Sequence, residues 1–306
     1  MVASCESYLL IGCGFSQLEG LILLNPTTRI YRVLPKVQVP TWSNSVYYGM
    51  CHCLDDELNG DFKIVRFVQE NGTTEVIVYS LRTNSWKLLE SEKATIESIW
   101  NPVLVQNNLL VRICNGSGQM KRIGCFDIKA ERWSNDVVLP DIILCEIDSN
   151  QTRDGQYYLG VLDGRLCISC YNADKSTYSV WVMKEYGIKE SWFKLMSLHV
   201  EGPEEIYHPI AYRKGSSHEL LCLPNYSGKY FWYNIKDKQF TETGINRHGL
   251  ETGYLSFAYI CKQSLLNFPG GLLIRSSPKV REVDDDNDDY DSDYDDGYYY
   301  SYGNCL

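Results

Sequence analysis

Short runs of alternating apolar and polar residues, broken at close intervals by turn signals, dominate this chain. Residues 62–68 (FKIVRFV) alternate, Glu70-Asn71-Gly72 breaks the run, and residues 74–81 resume it. Asn-Gly between strand-like runs is a strong short-range hairpin signal. Residues 109–114 and 119–127 flank Asn115-Gly116-Ser117-Gly118 in the same manner. Residues 157–162 and 165–171 flank Asp163-Gly164, which suits a tight turn needing two positive φ angles. A fourth hairpin is expected where residues 220–223 and 230–235 flank 224–228. Helical spacing is scarce; residues 93–100 hold enough for a turn or two. Many short strands at regular spacing point to a sandwich, barrel or propeller.

A longer period lies over the short one. An apolar strand, a turn rich in charged or Asn/Thr residues, an aromatic and a second short strand recur five times. They stand at LLNPTTRIYRVLP (23–35), VYSLRTNSWKLL (78–89), CFDIKAERWSND (125–136), VWVMKEYGIKESWFKL (180–195) and WYNIKDKQFTET (232–243). The aromatic is Tyr31, Trp86, Trp133, Trp192 and Phe240 in turn. A repeat of about 40–50 residues is the size of a four-stranded propeller blade. One blade cannot bury both of its faces alone, so neighbours must cover them. The expectation is an all-β, propeller-like domain of five or six blades, a partial sixth unit falling at 253–260. The five aromatics are read as structural anchors that bury large apolar surface between sheets.

Composition fits sheets: hydrophobic residues make 44% of the chain and aromatics 13%, with 23 tyrosines. The net charge of −10 changes meaning once it is located. Glu282 and the nine aspartates at 284, 285, 286, 288, 289, 291, 293, 295 and 296 follow Arg281, and no Lys or Arg follows them. Residues 1–281 are therefore neutral. A neutral body lacks the basic stripe expected of a nucleic-acid binder. The acidic run reads as a disordered tail, since like charges repel and little apolar surface is available. Such a tail also attracts a basic partner and speeds encounter. Residues 1–15 offer no basic n-region, and no run is long enough to span a bilayer. The 12 cysteines are accordingly read as reduced thiols of a cytoplasmic or nuclear protein.

The candidate chemistry is thin. Cys51-His52-Cys53 resembles a metal fragment, but alternate side chains on a strand diverge and no second pair stands nearby. Cys167-Ile168-Ser169-Cys170 has redox spacing without the helix N-terminus that lowers a thiol pKa. Asp55-Asp56-Glu57 reads as a solvated turn, and His199, His208, His218 and His248 lie in no motif. No catalytic residue, cofactor site or metal site is assigned, and the expectation is a non-catalytic protein. Loops held by a rigid scaffold are where specificity is expected: 41–48, 55–61, 201–207 and 213–218.

The quoted units resemble the F-box-associated domain of plant F-box proteins. The motifs that carry the resemblance are LNPTTRIYRVLP (24–35), GDFKIVRF (60–67), VIVYSLRTNSWKLL (76–89), LGVLDGRLCISCY (159–171) and VWVMKEYGIKESWFKL (180–195). They look most like the S-locus F-box and S-locus F-box-like group of the nightshade family. The resemblance implies a substrate-recognition module of a Skp1–cullin–F-box ubiquitin ligase. In the self-incompatibility members of that group the implied substrate is a basic S-ribonuclease met in the pollen tube. An F-box itself is not recognisable in MVASCESYLLIGCGFSQLE (1–19). Skp1 and cullin are therefore expected as partners only where an F-box is supplied; the alternative is a stand-alone interaction propeller or decoy. Residues 1–19 are expected to be irregular, 20–278 to form the propeller-like domain, and 279–306 to form the acidic, Tyr-rich tail.

Overall fold

Four-stranded antiparallel sheets repeat along the chain. The computed structural model describes residues 3–13, 20–37, 45–53, 61–70, 73–89, 98–114, 120–147, 157–172, 174–200, 207–224, 229–246, 261, 263–265 and 272–273. The first sheet holds β1 (Ala3–Cys5), β2 (Tyr8–Cys13), β3 (Gly20–Asn25) and β4 (Ile30–Val33). The second holds β5 (Ser45–Cys53), β6 (Asp61–Glu70), β7 (Thr73–Ser80) and β8 (Ser85–Leu88). The third holds β9 (Ser98–Val105), β10 (Asn108–Cys114), β11 (Met120–Asp127) and β12 (Arg132–Val137). A seven-residue helix, α1 (Asp141–Ile147), follows it. The fourth sheet holds β13 (Tyr157–Leu162), β14 (Arg165–Asn172), β15 (Thr177–Met183) and β16 (Trp192–His199). The fifth holds β17 (Tyr207–Tyr212), β18 (Glu219–Pro224), β19 (Lys229–Asn234) and β20 (Gln239–Asn246). A last short strand, β21 (Leu272–Leu273), joins the first sheet outside β4.

Contacts run between the first strands of successive sheets, β1 to β5, β5 to β9, β9 to β13 and β13 to β17. This arrangement makes five propeller blades, with first strands inside and fourth strands at the perimeter. Burial shows why each blade needs a neighbour. On β6, Phe62 and Ile64 enter the core shared with blade 1, whereas Val65 and Phe67 enter the core shared with blade 3. Period-two alternation thus carries two apolar faces instead of one. The same holds on β14, where Ile168 and Cys170 face blade 3 while Cys167 and Tyr171 face blade 5.

The hairpins expected from the sequence form β6–β7, β10–β11, β13–β14 and β18–β19. In the third, Asp163 and Gly164 have φ of 52° and 73°, as that turn requires. Two expectations need correction. Residues 3–13, inside the segment expected to be irregular, form β1 and β2 and complete blade 1. Residues 98–100, expected at the end of a helical turn, open β9; pairing with β10 overrides a weak local spacing. The possible sixth unit at 253–260, the loop positions 41–44, 55–60 and 201–206, and the tail 279–306 lie outside the described residues.

One turn design joins the third and fourth strands of blades 1, 2, 3 and 5. The last third-strand residue folds its side chain over the turn. The Asn25 Oδ1 accepts from the backbone N–H of Thr27 and Thr28 at 3.0 and 3.3 Å. The Ser80 Oγ accepts from Thr83 at 3.2 Å, and the Asp127 Oδ1 from Ala130 at 2.9 Å. The Asn234 Oδ1 accepts from Lys236 and Asp237 at 2.9 and 3.2 Å. The turn closes on a left-handed residue, Arg29, Asn84, Glu131 or Lys238, with φ between 52° and 58°. The anchor aromatic follows two residues later. Blade 4 departs from this: its third and fourth strands are joined by a longer loop containing a 3-10 turn at Lys189–Ser191. The short design recurs there one hairpin earlier, where Asn172 caps Lys175 at 2.9 Å and Ser176 has φ 47° ahead of Tyr178.

Tyr31, Trp86, Trp133, Trp192 and Phe240 stand on β4, β8, β12, β16 and β20, the fourth strand of each blade. Trp86, Trp133 and Phe240 meet the third-strand residue opposite them, Tyr79, Phe126 and Tyr233, with centroids 5.1, 5.4 and 4.7 Å apart. Trp133 also meets Phe67 of blade 2 at 5.8 Å. Trp86 donates its Nε1–H to the Pro35 carbonyl at 2.8 Å, tying blade 2 to the chain leaving blade 1. Trp192 is the most buried of the five and joins the core between blades 3 and 4. The Nε1 atoms of Trp133 and Trp192 find no acceptor among the described residues, so those rings act through apolar contact. Tyr31 differs again, since its strand is not the sheet edge: β21 pairs beside β4 with Leu272 opposite Tyr31.

Trp133→Ala is expected to lower the unfolding free energy by about 3 kcal/mol, read by urea titration; a loss under about 1 kcal/mol would place the ring in solvent. Lys238→Gly should be neutral or raise stability by up to about 1 kcal/mol, whereas Lys238→Val should cost about 1–2 kcal/mol, because a β-branched residue resists positive φ.

Candidate partner-binding face

Antiparallel succession places the turn between first and second strands at the same end of a blade as the turn between third and fourth. Short contacts align these ends from blade to blade. Glu6 meets His52 at 3.6 Å across blades 1 and 2. The Cys51 thiol donates to the Asn107 Oδ1 at 3.7 Å across blades 2 and 3. Gln106, Gly164 and Tyr186 line one small cavity of about 70 Å³ between blades 3 and 4. The result is a single turn face around the propeller axis.

Every third-to-fourth-strand turn presents an exposed cation on this face: Arg29, Arg82, Lys129, Lys184, and the pair Lys236 and Lys238. Blades 1 and 2 carry no acidic residue in these turns. In blade 3, Glu131 is already shared, since Lys63 donates to it at 2.8 Å and Lys87 at 2.9 Å. Burial would raise the Glu131 carboxyl, but the hydrogen bonds and charges of Lys63 and Lys87 outweigh it and hold the group below the ordinary carboxylate range. The first-to-second-strand turn of blade 5 adds Arg213 and Lys214, both exposed. This loop, 213–218, is the one sequence-selected specificity segment that falls within the described residues.

A second feature interrupts the charge. An open groove of about 600 Å³ on blade 4 is lined by Arg165, Lys184, Glu185, Glu190, Ser191, Trp192 and Phe193. Phe193 and Ile188 are 39% and 47% exposed, a large outlay of apolar surface for a loop. Lys189 reaches Asp141 of α1 at 3.3 Å, and α1 itself exposes Ile142 and Leu144 while Ile143 is fully buried. Contiguous exposed apolar residues rimmed by charges mark a protein-contact surface. The groove depends on the long β15–β16 loop. Its aromatic, Trp192, was legible in the sequence; the rim of mixed charge and α1 were not.

Most of the remaining chemistry-bearing residues are held in structural contacts, although the Nε and Nη2 atoms of the buried Arg66 have no hydrogen-bond partner among the described residues. Cys51 and Cys53 lie on β5 with both side chains buried, and a hydrogen bond with Cys53, reinforced by burial, pushes the Cys51 thiol up. Cys167 and Cys170 point into different inter-blade cores, and burial raises Cys167 to about 12. His208 packs between Tyr158 and Tyr178, with centroids 4.0 and 6.4 Å away. No three metal-ligating side chains converge among the described residues. Arg66, 1% exposed, lies 6.0 Å from the Tyr48 ring; burial lowers its pKa, and the Tyr48 phenol opposes that shift.

Glu131→Gln is expected to cost about 1 kcal/mol at neutral pH, because Lys63 is largely buried but Lys87 is 69% exposed and screened. The folded-state value of Glu131 lies below the unfolded one, so its contribution is full above about pH 4.3 and fades as pH falls through the folded value. The variant should show a shallower acid limb in a pH series of melting temperatures; an unchanged limb would show that the two lysines add nothing.

Comparison with known proteins places this geometry. The family model for the F-box associated beta propeller domain matches residues 1–265. The chain is 30% identical over 308 residues to F-box protein CPR1 of Arabidopsis thaliana, covering 84% of this chain and 68% of that protein. It is 30% identical over 254 residues to F-box protein At4g22390 of the same plant, covering 74% of this chain and 60% of that protein. Among solved structures, the beta-propeller domain of the Trilobed protease from Pyrococcus furiosus aligns with a TM-score of 0.40 and 12% identity, over 73% of this chain and 63% of that one. A model covering most of the sequence, on five blades whose strands and turns repeat as described, settles the family: this chain belongs to the F-box associated β-propeller domains.

Proposed function

We propose that this chain captures a protein substrate for a Skp1–cullin–F-box ubiquitin ligase, and that it does so on the turn face. The observation that carries the reading is the family match over residues 1–265, a domain that serves substrate recognition in F-box proteins. The geometry supports it. Four radial turns of shared backbone shape and a longer loop on blade 4, all with different side chains, offer a broad, variable surface. The open blade 4 groove with exposed Phe193 and Ile188 suits a protein side chain better than an enclosed small ligand. Ligase coupling requires an F-box joined to this domain. By the resemblance of its motifs, the finer assignment is the S-locus F-box group, with a basic S-ribonuclease as substrate. The working compartment on this reading is the cytoplasm or nucleus; no described helix is long and apolar enough to cross a membrane.

The test pairs binding with transfer. Immobilised chain is expected to retain purified S-ribonuclease, and Ile188→Ala with Phe193→Ala, which remove the exposed apolar surface of the blade 4 loop, should weaken retention about tenfold at an unchanged melting temperature. Fused behind an F-box, the chain should co-purify Skp1 and direct ubiquitination of what it retains in a reconstituted reaction. Failure to retain the ribonuclease, with another floral or pollen protein captured and ubiquitinated, would remove the S-locus assignment alone. Capture without ubiquitination, with Skp1 bound, would leave a stand-alone interaction propeller.

A further inference from the structure

Arg66 sits in the seam between blades 1 and 2. On β6 it alternates with Phe62 and Ile64, which enter the core shared with blade 1, so its side chain takes the same face. Tyr48 of β5 and Ile77 of β7 stand opposite it. The residue is 1% exposed. A guanidinium keeps its charge in a protein, and a buried charge is costly unless it is paired. The Nε and Nη2 atoms of Arg66 have no hydrogen-bond partner among the described residues. These two atoms form one edge of the guanidinium plane. Their N–H bonds point the same way, and that edge takes a carboxylate side-on through two parallel hydrogen bonds.

The described surroundings supply no such carboxylate. From blade 1 the same core receives Leu10, Leu21 and Leu23. Glu75, the nearest acidic residue on this face by register, stands one diagonal step away, opposite Val68, and forms no ion pair with Arg66. Blade 1 also leaves room. Tyr8 meets Phe62 at 5.2 Å. β2 and β6 are both second strands and run the same way, so four residues further on Gly12 stands level with Arg66. A glycine inside a strand marks a place where a ligand approaches closely. Gly12 is half-buried, which opens the seam to a small solute. Water accepts hydrogen bonds from such a fork but leaves the charge uncompensated, whereas a carboxylate supplies both acceptors and the charge. We propose that the seam between blades 1 and 2 is a binding site for a small monocarboxylate, held side-on by the Nε and Nη2 donors of Arg66 beside Gly12. The two sheets enclose the fork, so the ligand is limited to a few atoms, the size of formate or acetate. The site lies within a seam and not on the turn face, so it is independent of substrate capture.

Formate is the probe, used with the full chain. Equilibrium dialysis with labelled formate is expected to show saturable binding to a single site. At about tenfold excess over its Kd, formate should raise the melting temperature by about 3 °C, whereas chloride at equal ionic strength should not. Arg66→Met keeps an unbranched stem and removes the fork, so it should abolish both the bound formate and the shift. Arg66→Lys keeps the charge but loses the two parallel bonds, and it should bind formate about tenfold more weakly. Absence of saturable binding to the unmodified chain, or an unchanged response in Arg66→Met and Arg66→Lys, would overturn the proposal. So would a melting temperature indifferent to formate yet lowered equally by Arg66→Met and Glu75→Gln, since Glu75 would then be the partner of the guanidinium.

Discussion

A four-stranded sheet with two apolar faces cannot stand alone, and the architecture here follows from that constraint. β6 shows it most directly, sending Phe62 and Ile64 into one core and Val65 and Phe67 into another. Neither face can be left in water, because each large apolar side chain contributes about 1.5–3 kcal/mol on burial. The nearest covering surface is another copy of the same unit, so blades follow blades. The strands at the perimeter escape the constraint on one side, and there the exposed residues Ser85, Lys87 and Leu88 of β8 and Arg132, Ser134 and Asn135 of β12 appear.

Once the blades face one another, their turns are gathered at one end without further instruction. The Asn, Ser or Asp cap and the left-handed fifth residue serve the hairpin locally, yet they also decide what the face looks like. A left-handed residue points its side chain outward at the apex, and Arg29 and Lys238 occupy that place. Glu131 occupies it in blade 3 and is drawn instead to Lys63 and Lys87, becoming a clasp between blades. Blade 4 gives up the short turn for a longer loop, and the groove beside Trp192 and Phe193 is the consequence. The face of this fold therefore varies with which turn is lengthened and which side chains its turns carry, while the inter-blade cores repeat.

The first and last described strands meet on blade 1. β1 and β2 come from the first residues, and Ser264 and β21 bring the last described residues beside Asn25 and Tyr31. This arrangement makes the first blade the place where the first and last described strands come together in one sheet.

The sequence by itself determined the elements, because period-two alternation and turn chemistry are local. Asp163-Gly164 specifies its hairpin whatever surrounds it, and the spacing of Tyr31, Trp86, Trp133, Trp192 and Phe240 places each on the outermost strand of a blade. It did not reveal β1 and β2, whose few residues carry too little pattern, or α1, whose DIILCEI has no repeat to mark it. The binding face was not legible either. Arg29, Arg82, Lys129, Lys184 and Lys236 are far apart in the chain and look like ordinary turn residues, because only the stacking of five sheets brings their hairpin ends to one side. Tertiary structure alone decided that convergence, since the hydrophobic faces that fix the order of the blades act across the whole molecule and not within any single unit.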